Sequence, residues 1–160
     1  MKKTTPELTE HEEIVKRTVN NVLKPYSGRY SIESGESSHG GWEVEIVPKN
    51  PKAAKIYISD IDSHIIYMAV DDMFFVEFYP EKNDYQDGLQ DLKAHIIAAV
   101  GGKIKGYHIR HKTDFTKQAY MKTVIEFELE DTITPWSRNV IFRNHFKKRK
   151  DIIERQYEPY

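Results

Sequence analysis

The sequence predicts an α+β fold: a mostly antiparallel sheet of about six to seven strands with two to three helices packed on it. Three observations predict it. Short runs alternate apolar and polar residues, as in Trp42, Val44 and Ile46 with Glu43 and Glu45 between them. Longer segments place apolar residues at helical spacing, as in Leu89, Leu92, Ile96 and Val100. The runs follow one another as helix, five strands, helix, two strands, helix, without the regular β-α-β alternation that a parallel sheet needs.

The first helix opens at Thr5-Pro6, a cap followed by a proline whose missing N–H does no harm in a first turn, or one turn later at Thr9 with Glu12 as a capping box. Leu8, Val15, Val19, Val22 and Leu23 make its apolar stripe, and Lys24-Pro25 ends it. Strands then follow around Tyr30 and Ile32, Trp42 to Ile46, and Ala54 to Ile58, with SGESSHGG and PKNPK as turns between them. Ile65 to Val70 and Met73 to Tyr79 are apolar runs too short for helices, and Asp71-Asp72 separates them. The second helix starts near Asp84 and Asp87, acids that suit a helix N-terminus, and stops at Gly101-Gly102. Lys103 to Lys112 and Ala119 to Glu130 read as two more strands. Thr134-Pro135 repeats the cap-then-proline signal, and Phe142, Phe146, Ile153 and Tyr157 share one helical stripe, which predicts a third helix.

With 160 residues the chain is long enough for one buried core and short for two, so a single domain over 1–160 is expected. A hydrophobic content of 39% is enough for that core. The absence of cysteine excludes disulfides, thiolate zinc sites and cysteine nucleophiles, and fits an intracellular, cytoplasmic protein. The opening MKKTTPELTEHEE lacks the apolar stretch of a secretory signal, and no run approaches the roughly 20 residues of a membrane span.

Charge is the informative feature. Asp60, Asp62, Asp71, Asp72, Glu77, Glu81, Asp84, Asp87 and Asp91 face a single Lys82 between positions 60 and 91, although the whole chain has a net charge of only −1. Asp60-x-Asp62-x-His64 has ligand types suited to a hard cation, but a tight turn between two strands explains the same residues, and no EF-hand spacing follows. No metal site and no cofactor are therefore expected. Much of the acid excess falls in connections between strands, and where connections share one end of a sheet their potentials merge. Asp60, Asp62, Asp71, Asp72, Glu81, Asp84 and Asp87 are the expected docking residues for a basic protein partner. With Asp71-Asp72 as a hairpin connector, Asp60, Asp62, Glu81, Asp84 and Asp87 should gather at one end and Asp71-Asp72 at the other.

The alternative lies in basic segments. KIKGYHIRHK gathers His108, Arg110 and His111, groups suited to acid–base cleavage of a phosphodiester, and the tail adds Lys147, Lys148, Arg149 and Lys150 for phosphate contacts. An edge strand and a helix face protected by charge account for the same residues. No HExxH, GxSxG or phosphate-loop motif is present.

MFFVEFYP followed by GLQDLKAHIIAAVGGKIKGY, an apolar strand with an acid, a short acidic loop and a helix with Leu89-x-x-Leu92 before Gly102-Lys103, resembles small bacterial immunity-type proteins of polymorphic toxin systems over about residues 73–107. The resemblance implies a cytoplasmic protein without enzymatic activity that binds a cognate toxin, often a basic nuclease, through an acidic surface. It supplies no catalytic residues and leaves the basic tail unaccounted for.

Overall fold

The computed structural model describes residues 8–37, 41–62, 65–71, 74–78, 85–112, 120–130, 132–140 and 149–160, in places through the backbone alone. It is an α+β fold with two antiparallel sheets and two α-helices among the described residues.

Helix α1 spans Leu8–Leu23 and buries Val15, Val19, Val22 and Leu23, one stripe at helical spacing. Pro25, which has no N–H to continue the ladder, lies in the 3-10 turn Lys24–Tyr26, and Gly28 takes a positive φ of 80° to turn the chain into the sheet. The first sheet is a meander of β1 (Tyr30–Glu36), β2 (Trp42–Pro48), β3 (Ile56–Asp62), β4 (Ile65–Val70) and β5 (Phe74–Phe78), in that spatial order. Its inner face carries Trp42, Val44, Ile46, Ile56, Ile58, Ile66, Met68 and Val70, the alternate positions that the sequence pattern marks as apolar.

Helix α2 (Tyr85–Val100) buries Leu89, Leu92, Ile96 and Val100 as expected, and ends in a Schellman motif. Lys103 N–H donates to Ala98 O at 2.8 Å and Gly102 N–H to Ala99 O at 3.2 Å, with Gly102 at φ 70°. The second sheet has the order β8-β7-β6-β9, from β6 (Ile104–Lys112), β7 (Tyr120–Leu129), β8 (Thr132–Val140) and β9 (Arg149–Gln156). Core residues from both helices and both sheets form one buried cluster. His95 of α2 is wedged into it, edge-on to Phe78 of β5 at 5.0 Å and to Phe127 of β7 at 4.7 Å between ring centroids.

Two expectations are corrected. The strands form two sheets, with nine strands among the described residues, where one sheet of six to seven was expected. The expected third helix is absent from the described part of the C-terminal segment, which instead forms β8 and β9. Thr132, Ile133, Thr134 and Trp136 are β-formers, and Pro135 is tolerated because β8 is an edge strand. Phe142 and Phe146 lie outside the described residues.

Candidate functional site

The register of the first sheet puts Asp60 opposite Ile66, and Ile66 opposite Phe78, so the end of β3 and the end of β5 lie together as expected. The expected solvated turn at Asp60–Ser63 is corrected, however. Asp60 and Asp62 belong to β3, and Asp62 pairs with Ile65. Asp60 is 2% exposed on the inner face, so its carboxylate is withheld from a docking partner. Asp72, Glu81 and Asp84 lie outside the described residues, and Asp62 and Asp87 are described through their backbone only.

Asp71 turns out to be engaged inside the molecule. It sits at φ 48°, a left-handed conformation that Asp tolerates better than most residues. Its N–H donates to Lys55 O at 2.7 Å, and its Oδ1 accepts Lys55 N–H at 3.2 Å. Its Oδ2 accepts Tyr157 Oη–H at 2.9 Å and pairs with Arg155 Nη1 at 2.8 Å. Burial, with the Asp71 charge beside it, pushes the Tyr157 phenol well above the usual tyrosine range. This acid fastens the 155–157 segment to the end of β4.

An acidic surface does exist, on the outer face of the first sheet. Register pairs Glu33 with Glu45 and Glu45 with Tyr57 in one row, and Gly35 with Glu43, Glu43 with Ser59, Ser59 with Tyr67 and Tyr67 with Glu77 in the next. These positions alternate with the buried ones, and all are half-buried or exposed. Glu33, Ser34, Gly35, Glu36, Glu43 and Glu45 line a cleft of about 210 Å³ there. Glu45 pairs with Lys55, whose hydrogen bond holds the Glu45 carboxyl below the usual range and is the main cause raising the Lys55 ammonium above its own. Lys55 also lies 4.6 Å from the Tyr57 ring centroid. No side chain occupies the space beside Gly35, where a Cβ would meet nothing within 4 Å.

The sequence reading missed these glutamates because residues 1–59 are almost balanced in charge. The signal was the alternation itself: Glu43 and Glu45 fall on the solvent side of a strand, and Glu33 is brought against them by the β1–β2 hairpin. A larger cleft of about 820 Å³ runs beside α2, but Asp91, Lys93, Lys103, Glu128 and Glu130 around it mix three acids with two bases and set up no strong preference for either charge in a ligand.

The basic segments do meet. β6 and β9 pair with His111 opposite Lys150, Lys112 opposite Arg149 and Arg110 opposite Asp151, while His108 lies opposite Ile153. Lys147 and Lys148 fall outside the described residues. No group of three or more His, Asp or Glu is placed to hold a metal ion among the described residues, and no helix there is long and apolar enough to cross a membrane. No family model matches the sequence, and no curated protein or solved structure matches it either.

Proposed function

We propose that this chain is a non-enzymatic binding protein that takes up a basic protein partner on the acidic outer face of its first sheet, in the manner of an immunity protein that occludes a toxin. The observation that carries this reading is Glu33 directly opposite Glu45, with Glu43 lining the same cleft. Like charges placed opposite one another on a sheet are destabilising, by an amount comparable to the ~0.2–1 kcal/mol that favourable pairs contribute. Among the described residues, Lys55 pairs with Glu45, and no cation is paired with Glu33 or Glu43. A cationic partner would turn the remaining repulsion into attraction and would be steered to the face as it approached.

The test is co-expression with the product of the neighbouring reading frame. Co-purification that is lost in Glu33→Lys with Glu43→Lys, and an association rate that falls steeply with salt, are the expected results. Unchanged affinity in the double variant overturns this surface.

A second reading, nucleic-acid binding, is favoured by the β6–β9 register, which sets Lys112 beside Arg149 and His111 beside Lys150 from distant parts of the chain. It expects retention on heparin or RNA at low salt that is lost in Arg149→Gln with Lys150→Gln. No retention removes it.

A further inference from the structure

The hydrogen bonds at the two ends of the β1–β2 pair fix which backbone groups of β1 are unused. Lys49 N–H donates to Arg29 O at 2.8 Å, and Ser37 N–H donates to Gly41 O at 3.1 Å. Arg29 and Ser37 are an even number of residues apart, and hydrogen-bonded pairs recur at every second position of an antiparallel ladder. Ser31, Glu33 and Gly35 therefore turn their N–H and C=O groups toward β2, and Ile32, Ser34 and Glu36 turn theirs outward. β1 is the edge of its sheet and pairs with β2 alone among the described residues. Glu33, Ser34, Gly35 and Glu36 are all exposed.

Proteins commonly blunt such an edge with lysine, proline or a covering element. The other edges show these devices: β5 packs beside β8, β8 carries Pro135, and β9 carries Arg149, Lys150 and Arg155. β1, YSIESGE, has no lysine, arginine or proline. Its charges are all negative, and its one glycine opens the space beside Glu43. Glycine inside a strand often marks a place where another chain comes close.

We infer that an extended basic segment of the partner adds to β1 as a further strand, bonding to Ile32, Ser34 and Glu36 through its backbone. This rests on the reading of the acidic face given above and specifies how that face is engaged. Residues of the added strand opposite Glu33 and Gly35 share the outer face with the glutamates. A lysine or arginine opposite Gly35 crosses above it to reach Glu43, and another stands beside Glu33. The residue opposite Ile32 lies on the inner face, where Ile32 and Tyr30 are packed against the core, and is apolar. The recognised segment thus alternates cationic and apolar residues. Main-chain bonds supply affinity and the alternate side chains supply specificity.

The experiment uses the full chain and a short capped peptide of alternating lysine and valine, with a glutamate–valine peptide as control. Two further versions of the lysine peptide carry backbone N-methyl groups along one edge or the other. The lysine peptide binds at low salt and the glutamate peptide does not. One N-methylated peptide loses about tenfold or more in affinity, because the bonds to the β1 edge are removed while every charge is kept. Ser34→Pro, which deletes an outward N–H, produces the same loss in the protein. If both N-methylated peptides bind as well as the parent while Glu33→Lys with Glu43→Lys abolishes binding, strand addition is overturned and the acidic face stands. If neither the methyl groups nor the charge reversals matter, both readings fall.

Discussion

Tyr157 donates its hydroxyl to Asp71 across a sequence separation of 86 residues, at 2.9 Å, and with it ties the chain after β9 to the end of β4. Arg155 joins the same carboxylate oxygen, while the Lys55 amide takes the other. Asp71 is therefore committed to the fold. Replacing it by alanine leaves the buried Tyr157 hydroxyl without its acceptor and keeps a left-handed backbone without the side chain that suits it. Asp71→Ala is expected to lower stability by about 3 kcal/mol, and Tyr157→Phe by about 1–2 kcal/mol. Denaturant unfolding of both and of the double variant measures the coupling, and additive losses would mean that the bond contributes nothing.

The 157–160 segment is held just as closely at Gly102. A Cβ there would stand 2.6 Å from Pro159 N and 2.8 Å from Glu158 C, and the φ of 70° is itself unfavourable for an L side chain. Beside it Tyr160 N–H donates to Val100 O at 3.0 Å, and the Tyr160 hydroxyl donates to Ala54 O at 2.6 Å. Gly102→Ala is expected to cost more than the ~1–2 kcal/mol of the backbone conformation alone, because the Schellman turn and the 157–160 segment cannot both stay in place. Amide exchange of the Tyr160 N–H should accelerate in this variant. Unaltered exchange with unaltered stability would contradict the close approach.

His95 makes stability sensitive to acid. Its Nδ1 carries the hydrogen, since the group 2.7 Å away is the Asp91 carbonyl, which can only accept. Burial between Phe78 and Phe127 holds its pKa below the ordinary 6.5, against a smaller opposing pull from Asp91. The unfolded chain then takes up a proton near pH 6.5 that the folded chain refuses, so this contribution is intact above pH 6.5 and is lost as pH falls toward the folded-state value. Unfolding midpoints of the wild type and His95→Gln, measured between neutral and mildly acidic pH, should show a shallower acid loss in the variant. Parallel curves would remove His95 as the cause.

How far these features were legible depends on the range of the interaction behind them. Leu89, Leu92, Ile96 and Val100 announce α2 because one short window contains the whole pattern. The pairing of β4 with β5 was legible for a similar reason: Asp71-Asp72 is too short a connector for anything but a hairpin. The C-terminal segment misleads because Phe142, Phe146, Ile153 and Tyr157 fit a helical period while Ile152 and Ile153 fit a strand. The decision comes from β6, more than forty residues away in the register that pairs Ile109 with Ile152. The division into two sheets is equally non-local, since alternation shows that a strand has one wet face and leaves its neighbour open. Asp71, one of the acids expected at a docking surface, is held by Tyr157 and Arg155, partners more than eighty residues away that no local window of sequence reveals.

Gly35 offers a test in which stability and binding should move in opposite directions. It lies inside β1 without a positive φ, and a Cβ there would meet nothing, so a β-branched side chain fits without strain. Glycine in a strand costs backbone entropy and packs against nothing, and Gly35→Val should therefore raise stability by about 0.5–1 kcal/mol. The same isopropyl group would stand beside Glu43 and fill the path by which a partner's cation reaches it. Affinity for the lysine–valine peptide should fall several-fold, more than it falls in Gly35→Ala, whose methyl group leaves most of the path open. A stabilised Gly35→Val that binds as well as the wild type would show that the gap beside Glu43 serves no ligand, and the cleft would then be only the hollow left by a missing side chain.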